Sequence, residues 1–130
     1  MAHEYFKERD HTTKQYILVV EDDEEIGFLV SEVLSQETSY QAVLVTTGQQ
    51  ALEAIDSMTP CLLLLDYRLP DMDGIQLYDQ LHTKSGLEPI PTIMMSATLP
   101  LDALRRRRII GMNKPFELDD LIQAVEHLLS

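Results

Sequence analysis

The sequence lacks several residue types, and each shortage narrows what the chain can be. It contains no tryptophan, one cysteine and few aromatic residues, which make up 6% of its 130 residues. A single cysteine cannot form an internal disulfide, so a disulfide-stapled scaffold is excluded and a reducing compartment is expected. That cysteine, Cys61, lies in an apolar run, where we expect a small buried hydrophobe rather than a reactive thiol.

Long apolar stretches are also missing. No run approaches the length that crosses a membrane. Residues 1–14 contain no hydrophobic segment of the kind found in secretory signals. Their polar, aperiodic composition predicts a flexible N-terminal tail, followed by one domain over residues 15–130. We therefore expect a cytoplasmic protein with no membrane partner.

Positive charge is scarce. Ten lysines and arginines face 22 aspartates and glutamates, which gives a formal net charge of −12. This balance argues against direct nucleic-acid binding, because a phosphate backbone would repel the surface. It suits a divalent cation or a basic partner. The arginines at 105–108 are a local exception. We favour a solvated helix face there and rank a nucleic-acid contact last, with a patch for an acidic protein partner as the second interpretation.

Short β-rich apolar runs alternate along the chain with segments of helical periodicity. The predicted strands are Tyr16–Val20, Gln41–Val45 and residues 61–65, 92–95 and 109–112. Helices are predicted after Asp23, Thr47 and Gly74, over residues 101–108, and from Leu118 onward. The first helix should bury a stripe made of Ile26, Leu29, Val30, Val33 and Leu34. This alternation predicts a doubly wound α/β fold, with five parallel strands and helices on both faces.

The chain is organised around residues 62–74, LLLLDYRLPDMDG. The apolar part predicts a strand buried on both faces, and the rest predicts a tight loop after Asp66. Parallel strands end at one edge of a sheet, so polar side chains at strand ends should meet there. Those strand-end residues are Glu21, Asp22, Asp23, Asp66, Ser96 and Lys114.

This set of side chains has a specific chemistry. Clustered carboxylates raise one another's pKa unless a cation lies among them, and a hard cation such as Mg²⁺ (or Mn²⁺) prefers oxygen ligands. With Lys114 to neutralise phosphoryl oxygens, Asp66 could attack phosphorus in line. For the acids at 21–23 the competing interpretation is simple helix capping, which Asp66, Ser96 and Lys114 together make less favoured.

Four motifs, in this order, make residues 15–130 resemble the CheY-like receiver domain of two-component response regulators. They are ILVVED at 17–22, LLDYRLPDMDG at 64–74, PTIMMSA at 91–97 and NKPF at 113–116. The resemblance implies a flavodoxin-like fold and a phosphorelay signalling role rather than an enzyme. It also implies intrinsic, magnesium-dependent self-phosphorylation and self-dephosphorylation at Asp66.

The resemblance further implies a role for each matching residue. Asp66 would be phosphorylated, Asp22 would bind the metal directly, and Glu21 would help through water. The backbone carbonyl of Arg68 would complete the metal ligands, and Ser96 and Lys114 would contact the phosphoryl group. The bond from Lys114 to Pro115 would be cis. The implied partners are a histidine kinase or histidine phosphotransfer protein and a downstream protein target, and homodimer formation is left open.

Two features depart from the family pattern. Gly111 stands three residues before Lys114, where the family usually has Tyr or Phe as a rotamer switch. The segment between Ser96 and Lys114 is short by roughly one helical turn, so helix four should be shortened or irregular. We therefore hypothesise that phosphorylation is retained while the output is read without an aromatic switch.

Two other functions would also use a strand-end aspartate or a receiver-like fold. An aspartyl-phosphate phosphohydrolase of the haloacid-dehalogenase type would want a second aspartate two residues after the nucleophile, and this chain has Arg68 there. A degenerate receiver, acting as a constitutive binding or dimerisation module, is disfavoured by the intact set of Asp22, Asp66, Ser96 and Lys114.

Overall fold

The computed structural model describes residues 15–85 and 90–130, so the predicted tail at 1–14 lies outside the described residues. Five parallel strands form one sheet in the order β2-β1-β3-β4-β5. The strands are β1 Tyr16–Val20, β2 Gln41–Val45, β3 Leu62–Asp66, β4 Thr92–Ser96 and β5 Ile110–Asn113. The helices are α1 Glu24–Glu37, α2 Gly48–Ala54, α3 Gly74–Ser85, α4 Leu101–Arg107 and α5 Leu118–Leu129. The predicted doubly wound fold is confirmed.

The core lies in two layers, one on each face of the sheet. Successive strand residues point to opposite faces, so Leu63 and Leu65 join one layer while Leu62 and Leu64 join the other. Helices α2, α3 and α4 cover the first face, and α1 and α5 cover the second. Strand β3 is buried along its whole length, as a central parallel strand should be. No described helix is long and apolar enough to cross a membrane.

Strand bounds differ from the predicted ones by one residue, and the shift affects the site. Strand β3 runs to Asp66 rather than ending before it, and β4 likewise includes Ser96. The backbones of both residues are therefore held by sheet hydrogen bonding instead of lying in loops. Cys61 falls just outside β3 and is only partly buried, with its thiol 3.2 Å from the carbonyl oxygen of Tyr16.

The predicted buried stripe of α1 is partly wrong. Val30 and Leu34 are buried, but Ile26 is 38% exposed and Leu29 is 52% exposed. The reason is Gly27, which allows the helix to approach β2 so closely that a Cβ there would lie 2.8 Å from a methyl carbon of Leu44. The face centred on Gly27, Val30 and Leu34 therefore turns to the sheet, which leaves Ile26 and Leu29 to one side.

Helix α4 is short, as predicted, and its end is well defined. It ends after Arg107 because Arg108 adopts a left-handed backbone conformation, with φ 59°. The Ile109 N–H then donates to the Leu104 carbonyl, which leads the chain into β5. The Arg107 guanidinium forms two hydrogen bonds, of 2.8 and 2.9 Å, with the Asp79 carboxylate, and so fastens α4 to α3.

Gly74 allows α3 to begin directly against the end of β3. A Cβ at this position would lie 2.8 Å from the backbone oxygen of Asp66 and 3.0 Å from the Cα of Tyr67. Backbone atoms of a central strand cannot move aside cheaply. Asp66 can therefore hold its position only if residue 74 has no side chain, as Gly74 does.

We predict that Gly74→Ala destabilises the protein by about 2–3 kcal/mol, because the added methyl overpacks a backbone contact. Chemical denaturation would measure the change. The matched control is Gly48→Ala, whose methyl would meet only the flexible side chain of Met72. A loss for Gly74→Ala no larger than that for Gly48→Ala would contradict the argument.

Candidate functional site

The candidate site lies at the carboxyl edge of the sheet, where the strand order reverses. Strand β1 leads to β2 on one side and pairs with β3 on the other. Open α/β sheets form a crevice at such a switch point. Val20 pairs with Leu65, so the residues just after Val20 lie beside Asp66. The fold thus brings the acidic end of β1 to the acidic end of β3.

Glu21 is the most deeply buried charged residue described, with 1% of its surface exposed. Its two carboxylate oxygens have separate partners. Oε1 accepts a hydrogen bond of 2.9 Å from Nζ of Lys114, and Oε2 accepts one of 3.1 Å from the backbone N–H of Asp23. Asp23 in turn caps α1, since its side chain accepts from the N–H groups of Glu25 and Ile26. Helix capping is thus the role of Asp23 rather than of the whole acidic group.

Asp66 and Lys114 form the centre of the site. Asp66 is 5% exposed, and its Oδ1 lies 3.3 Å from Nζ of Lys114. Lys114 follows β5, and its backbone N–H donates to the carbonyl of Ser96, which extends the β4–β5 pairing to this point. The peptide bond between Lys114 and Pro115 is cis. One ammonium group thus contacts carboxylates from two other strand ends.

The carboxylates outnumber the cation. Glu21, Asp22 and Asp66 each offer an oxygen within 4.8 Å of the others, and Asp22 is exposed toward solvent. Lys114 supplies one positive charge to the two buried carboxylates. An all-oxygen donor set with excess negative charge fits a hard divalent cation.

The pKa of Asp66 reflects this imbalance. This pKa is raised from 3.8 to about 7, chiefly by burial and next by the charge of Glu21, and Lys114 only partly offsets both effects. For Lys114, burial acts to lower the pKa, but its contacts with Glu21 and Asp66 outweigh burial and hold the pKa above its ordinary value. Lys114 therefore stays charged at neutral pH, while Asp66 is an acid that ionises only with difficulty.

The loop after β3 is fixed at several points. Arg68 forms an isolated bridge with Asp73, and the N–H of Leu69 donates to the carbonyl of Met72. Asp73 caps α3 through the N–H of Gln76. The Arg68 backbone, predicted as a metal ligand, therefore lies in a constrained turn two residues after Asp66.

Asp71 has a role that the sequence did not reveal. Its two carboxylate oxygens accept from the backbone N–H groups of Gly48 and Gln49, at 2.9 Å each, and so cap α2 from a distant loop. The donation from Gly48 is the main reason that the pKa of Asp71 lies below its ordinary value. Local spacing cannot predict this contact, because the partners are 23 and 22 residues apart in sequence.

Ser96 is buried at the end of β4, with 3% of its surface exposed. Its hydroxyl donates to the carbonyl of Thr98 at 3.0 Å and accepts from the N–H of Thr98 at 3.1 Å. The hydroxyl is thus used by its own loop. The structure places all the predicted site residues on one sheet edge, with Glu21, Asp66 and Lys114 in direct contact.

Comparison with known proteins agrees with the fold and the motifs. The chain matches the family described as response regulator receiver domain over residues 17–126, and it belongs to that family. It is a receiver domain of a two-component system, a signalling module rather than a metabolic enzyme. The comparisons do not support the phosphohydrolase alternative.

Individual relatives cover the chain to different extents. Sporulation initiation phosphotransferase F of Bacillus subtilis is 34% identical over 117 residues, which is 87% of this chain and 92% of that protein. The DNA-binding transcriptional regulator NtrC of Escherichia coli is 32% identical over 88% of this chain, but the match spans only 24% of NtrC. A CheY-like receiver domain structure from Methanospirillum hungatei superposes with a TM-score of 0.80 at 26% identity, and covers 90% of this chain and 94% of its own.

We predict that Asp66→Asn stabilises the metal-free protein, and does so more at about pH 8 than at about pH 5. The folded-state pKa of Asp66 lies near 7, above the ordinary 3.8, so wild-type stability falls as pH rises between these values and levels off above them. Asparagine carries no charge at either pH. We expect a gain of about 1–2 kcal/mol at the higher pH, measured by denaturation in a chelator.

The control for this prediction is Asp119→Asn, which removes an exposed acid from the first turn of α5. Its small effect should be the same at both pH values. An Asp66→Asn gain that does not grow with pH would show that ionising Asp66 costs the fold nothing.

Proposed function

We propose that Asp66 is the phosphoacceptor of this receiver domain and takes its phosphoryl group from a phosphohistidine. The observation that carries the proposal is the buried Asp66 carboxylate, 3.3 Å from the Lys114 ammonium group and beside two further carboxylates. No other described acid combines burial, a contact with lysine and a position at the end of the central strand. Signalling then occurs by protein–protein contact.

The transfer balances as a displacement at phosphorus. An Asp66 oxygen attacks, the new O–P bond forms, and the P–N bond to the donor imidazole breaks with its electron pair going to the nitrogen. Lys114 neutralises charge on the phosphoryl oxygens, and the Ser96 hydroxyl donates a hydrogen bond to one of them. A small phosphodonor with a P–O bond can replace the phosphohistidine in the same step.

In this proposal the ligands of a single metal ion are Asp22, Asp66 and the backbone carbonyl of Arg68, and Glu21 acts through water. Mg²⁺, or Mn²⁺ in its place, supplies positive charge to the phosphoryl oxygens when bound. Both Glu21 oxygens already accept hydrogen bonds, from Lys114 and from the Asp23 N–H, which supports an indirect role for Glu21. Asp22 is exposed and free of such contacts among the described residues, which suits a direct ligand.

The test is labelling of the purified chain with acetyl phosphate, read as the mass gain of one phosphoryl group. We expect Mg²⁺-dependent labelling of the wild type and none of Asp66→Asn. Asp22→Asn should reduce labelling by about tenfold or more at limiting Mg²⁺, because a direct ligand is lost.

Glu126→Gln is the matched control, since it removes an exposed acid of α5 that lines neither the site nor the groove beside it, and it should label like the wild type. Labelling of Asp66→Asn to the wild-type level, or wild-type labelling that is unchanged by a chelator, would overturn the proposal.

An exposed apolar groove beside the site supports the proposed partner. It has a volume of about 730 Å³ and lies between α1 and the loop from β5 to α5. Its lining residues are Ile26, Leu29, Val30, Ala97, Lys114, Pro115, Phe116, Glu117, Leu118 and Asp119. Lys114 belongs both to this groove and to the Asp66 site, so a partner seated in the groove lies next to the phosphoacceptor. We infer that the helix carrying the donor histidine packs here, on Ile26 and Leu29.

The donor in this test is a phosphorylated histidine kinase that labels the wild type. We predict that the double variant Ile26→Ser/Leu29→Ser slows transfer from this donor by about tenfold, because the partner loses apolar contact. Acetyl phosphate labelling should not change. The control is Leu101→Ser, which removes a leucine that is 62% exposed on α4. Equal slowing with both donors would show damage to the site itself, and no slowing with either would refute docking in the groove.

A further inference from the structure

The loop between β4 and α4, residues 97–100, follows directly after Ser96 and is hydrogen-bonded to the hydroxyl of that residue. That hydroxyl holds both backbone groups of Thr98, because it donates to the carbonyl and accepts from the N–H. These two bonds close a tight turn directly after the strand. The side chain of the next residue, Leu99, is thereby held in one position.

Leu99 packs over Gly111 of β5. A Cβ at Gly111 would lie 2.8 Å from Cδ1 of Leu99 and 3.0 Å from Cδ1 of Leu104. Leu99 is only partly buried and packs against the core layer that contains Leu104. The space next to Gly111 is thus filled by a leucine from the neighbouring loop.

We propose that Leu99, seated on Gly111, is the residue through which the state of Asp66 reaches the surface formed by α4 and β5. Phosphorylation unseats it, and this changes the apolar surface offered to a partner. This inference rests on the proposed function, because it needs a phosphoryl group at Asp66.

Leu99 is expected to move because the Ser96 hydroxyl can donate only one hydrogen bond. A serine hydroxyl has one O–H, and phosphoryl oxygens accept but cannot donate. To bond the phosphoryl group, Ser96 must therefore give up its donation to the Thr98 carbonyl. Thr98 is exposed, so its carbonyl can turn to water at little cost. The turn that positions Leu99 then loses one of the two hydrogen bonds that close it and is held less firmly.

A partner can detect the change from the apolar surface near Leu99. Leu101, two residues later at the start of α4, is 62% exposed. Moving Leu99 away opens a hollow next to Gly111, lined by Leu104. A second protein can fill such a hollow with an apolar side chain, which gives it a preference for the phosphorylated form.

The same coupling must act in reverse. If phosphorylation moves Leu99 away from Gly111, then the contact between these two residues opposes phosphorylation. A substitution that weakens this contact must favour the phosphorylated state by the free energy that the contact loses. We therefore expect Leu99→Ala and Gly111→Ala each to tighten Mg²⁺-dependent binding of beryllofluoride, a phosphoryl mimic, by about fivefold. The first removes the side chain, and the second displaces it with a methyl group. Gly111 has an ordinary strand backbone, so alanine adds no backbone strain, and its close contact with the Leu99 methyl group is what displaces that side chain.

The measurement is beryllofluoride titration of the full chain by fluorine NMR, with Leu101→Ala as the matched control. Leu101→Ala should bind like the wild type. In the wild type, saturation should also shift the Leu99 methyl signals and the Thr98 and Gly111 amide signals. In Leu99→Ala the change at Gly111 should disappear.

The outcomes separate the inference from the proposed function. Wild-type binding with unmoved Leu99 methyl signals, or with both variants at wild-type affinity, would overturn the role of Leu99 and leave Asp66 as the phosphoacceptor. Absence of beryllofluoride binding by the wild type would overturn both. If Leu99→Ala fails to fold, Gly111→Ala and the wild-type methyl signals decide alone.

Discussion

The contact on which the site depends is that of the Lys114 ammonium group with two buried carboxylates. It lies 2.9 Å from Glu21 and 3.3 Å from Asp66, which stand at the ends of two neighbouring strands. Burying charge is costly unless it is paired, so each of the three groups needs the other two. Strand order meets this requirement, because β1 and β3 are adjacent and the β4–β5 pairing carries Lys114 up to them.

The single positive charge of Lys114 does not neutralise both buried carboxylates. Lys114 neutralises one charge, and burial together with the charge of Glu21 still holds the pKa of Asp66 above its ordinary value. A site fully neutralised by its own lysine would not bind a divalent cation strongly. Here the fold tolerates a destabilising carboxylate at its centre, and a ligand that brings positive charge relieves that cost. Stability is given up at the position where chemistry is proposed.

How far the sequence predicts this molecule depends on the range of each interaction. Strands and helices follow from local periodicity, and the strand-end position of Asp66 follows from the apolar run before it. The cap of α2 by Asp71 joins residues more than 20 positions apart, and no local pattern encodes it. The exposure of Ile26 and Leu29 was missed for a related reason. Helical spacing predicts an apolar stripe, but the close approach at Gly27 decides which part of that stripe meets the sheet.

Gly111 shows how an absence in the sequence becomes a contact in the structure. A missing side chain in an edge strand predicts a gap, yet the gap is filled by Leu99 from the loop that Ser96 holds. Helix α4 cannot easily move to fill it, because Arg107 fastens it to Asp79 on α3. The short β4–α4 loop is held by the two hydrogen bonds between the Ser96 hydroxyl and the Thr98 backbone. A hydroxyl with a single proton controls that loop, so the same residue that would contact a phosphoryl group also decides where Leu99 lies.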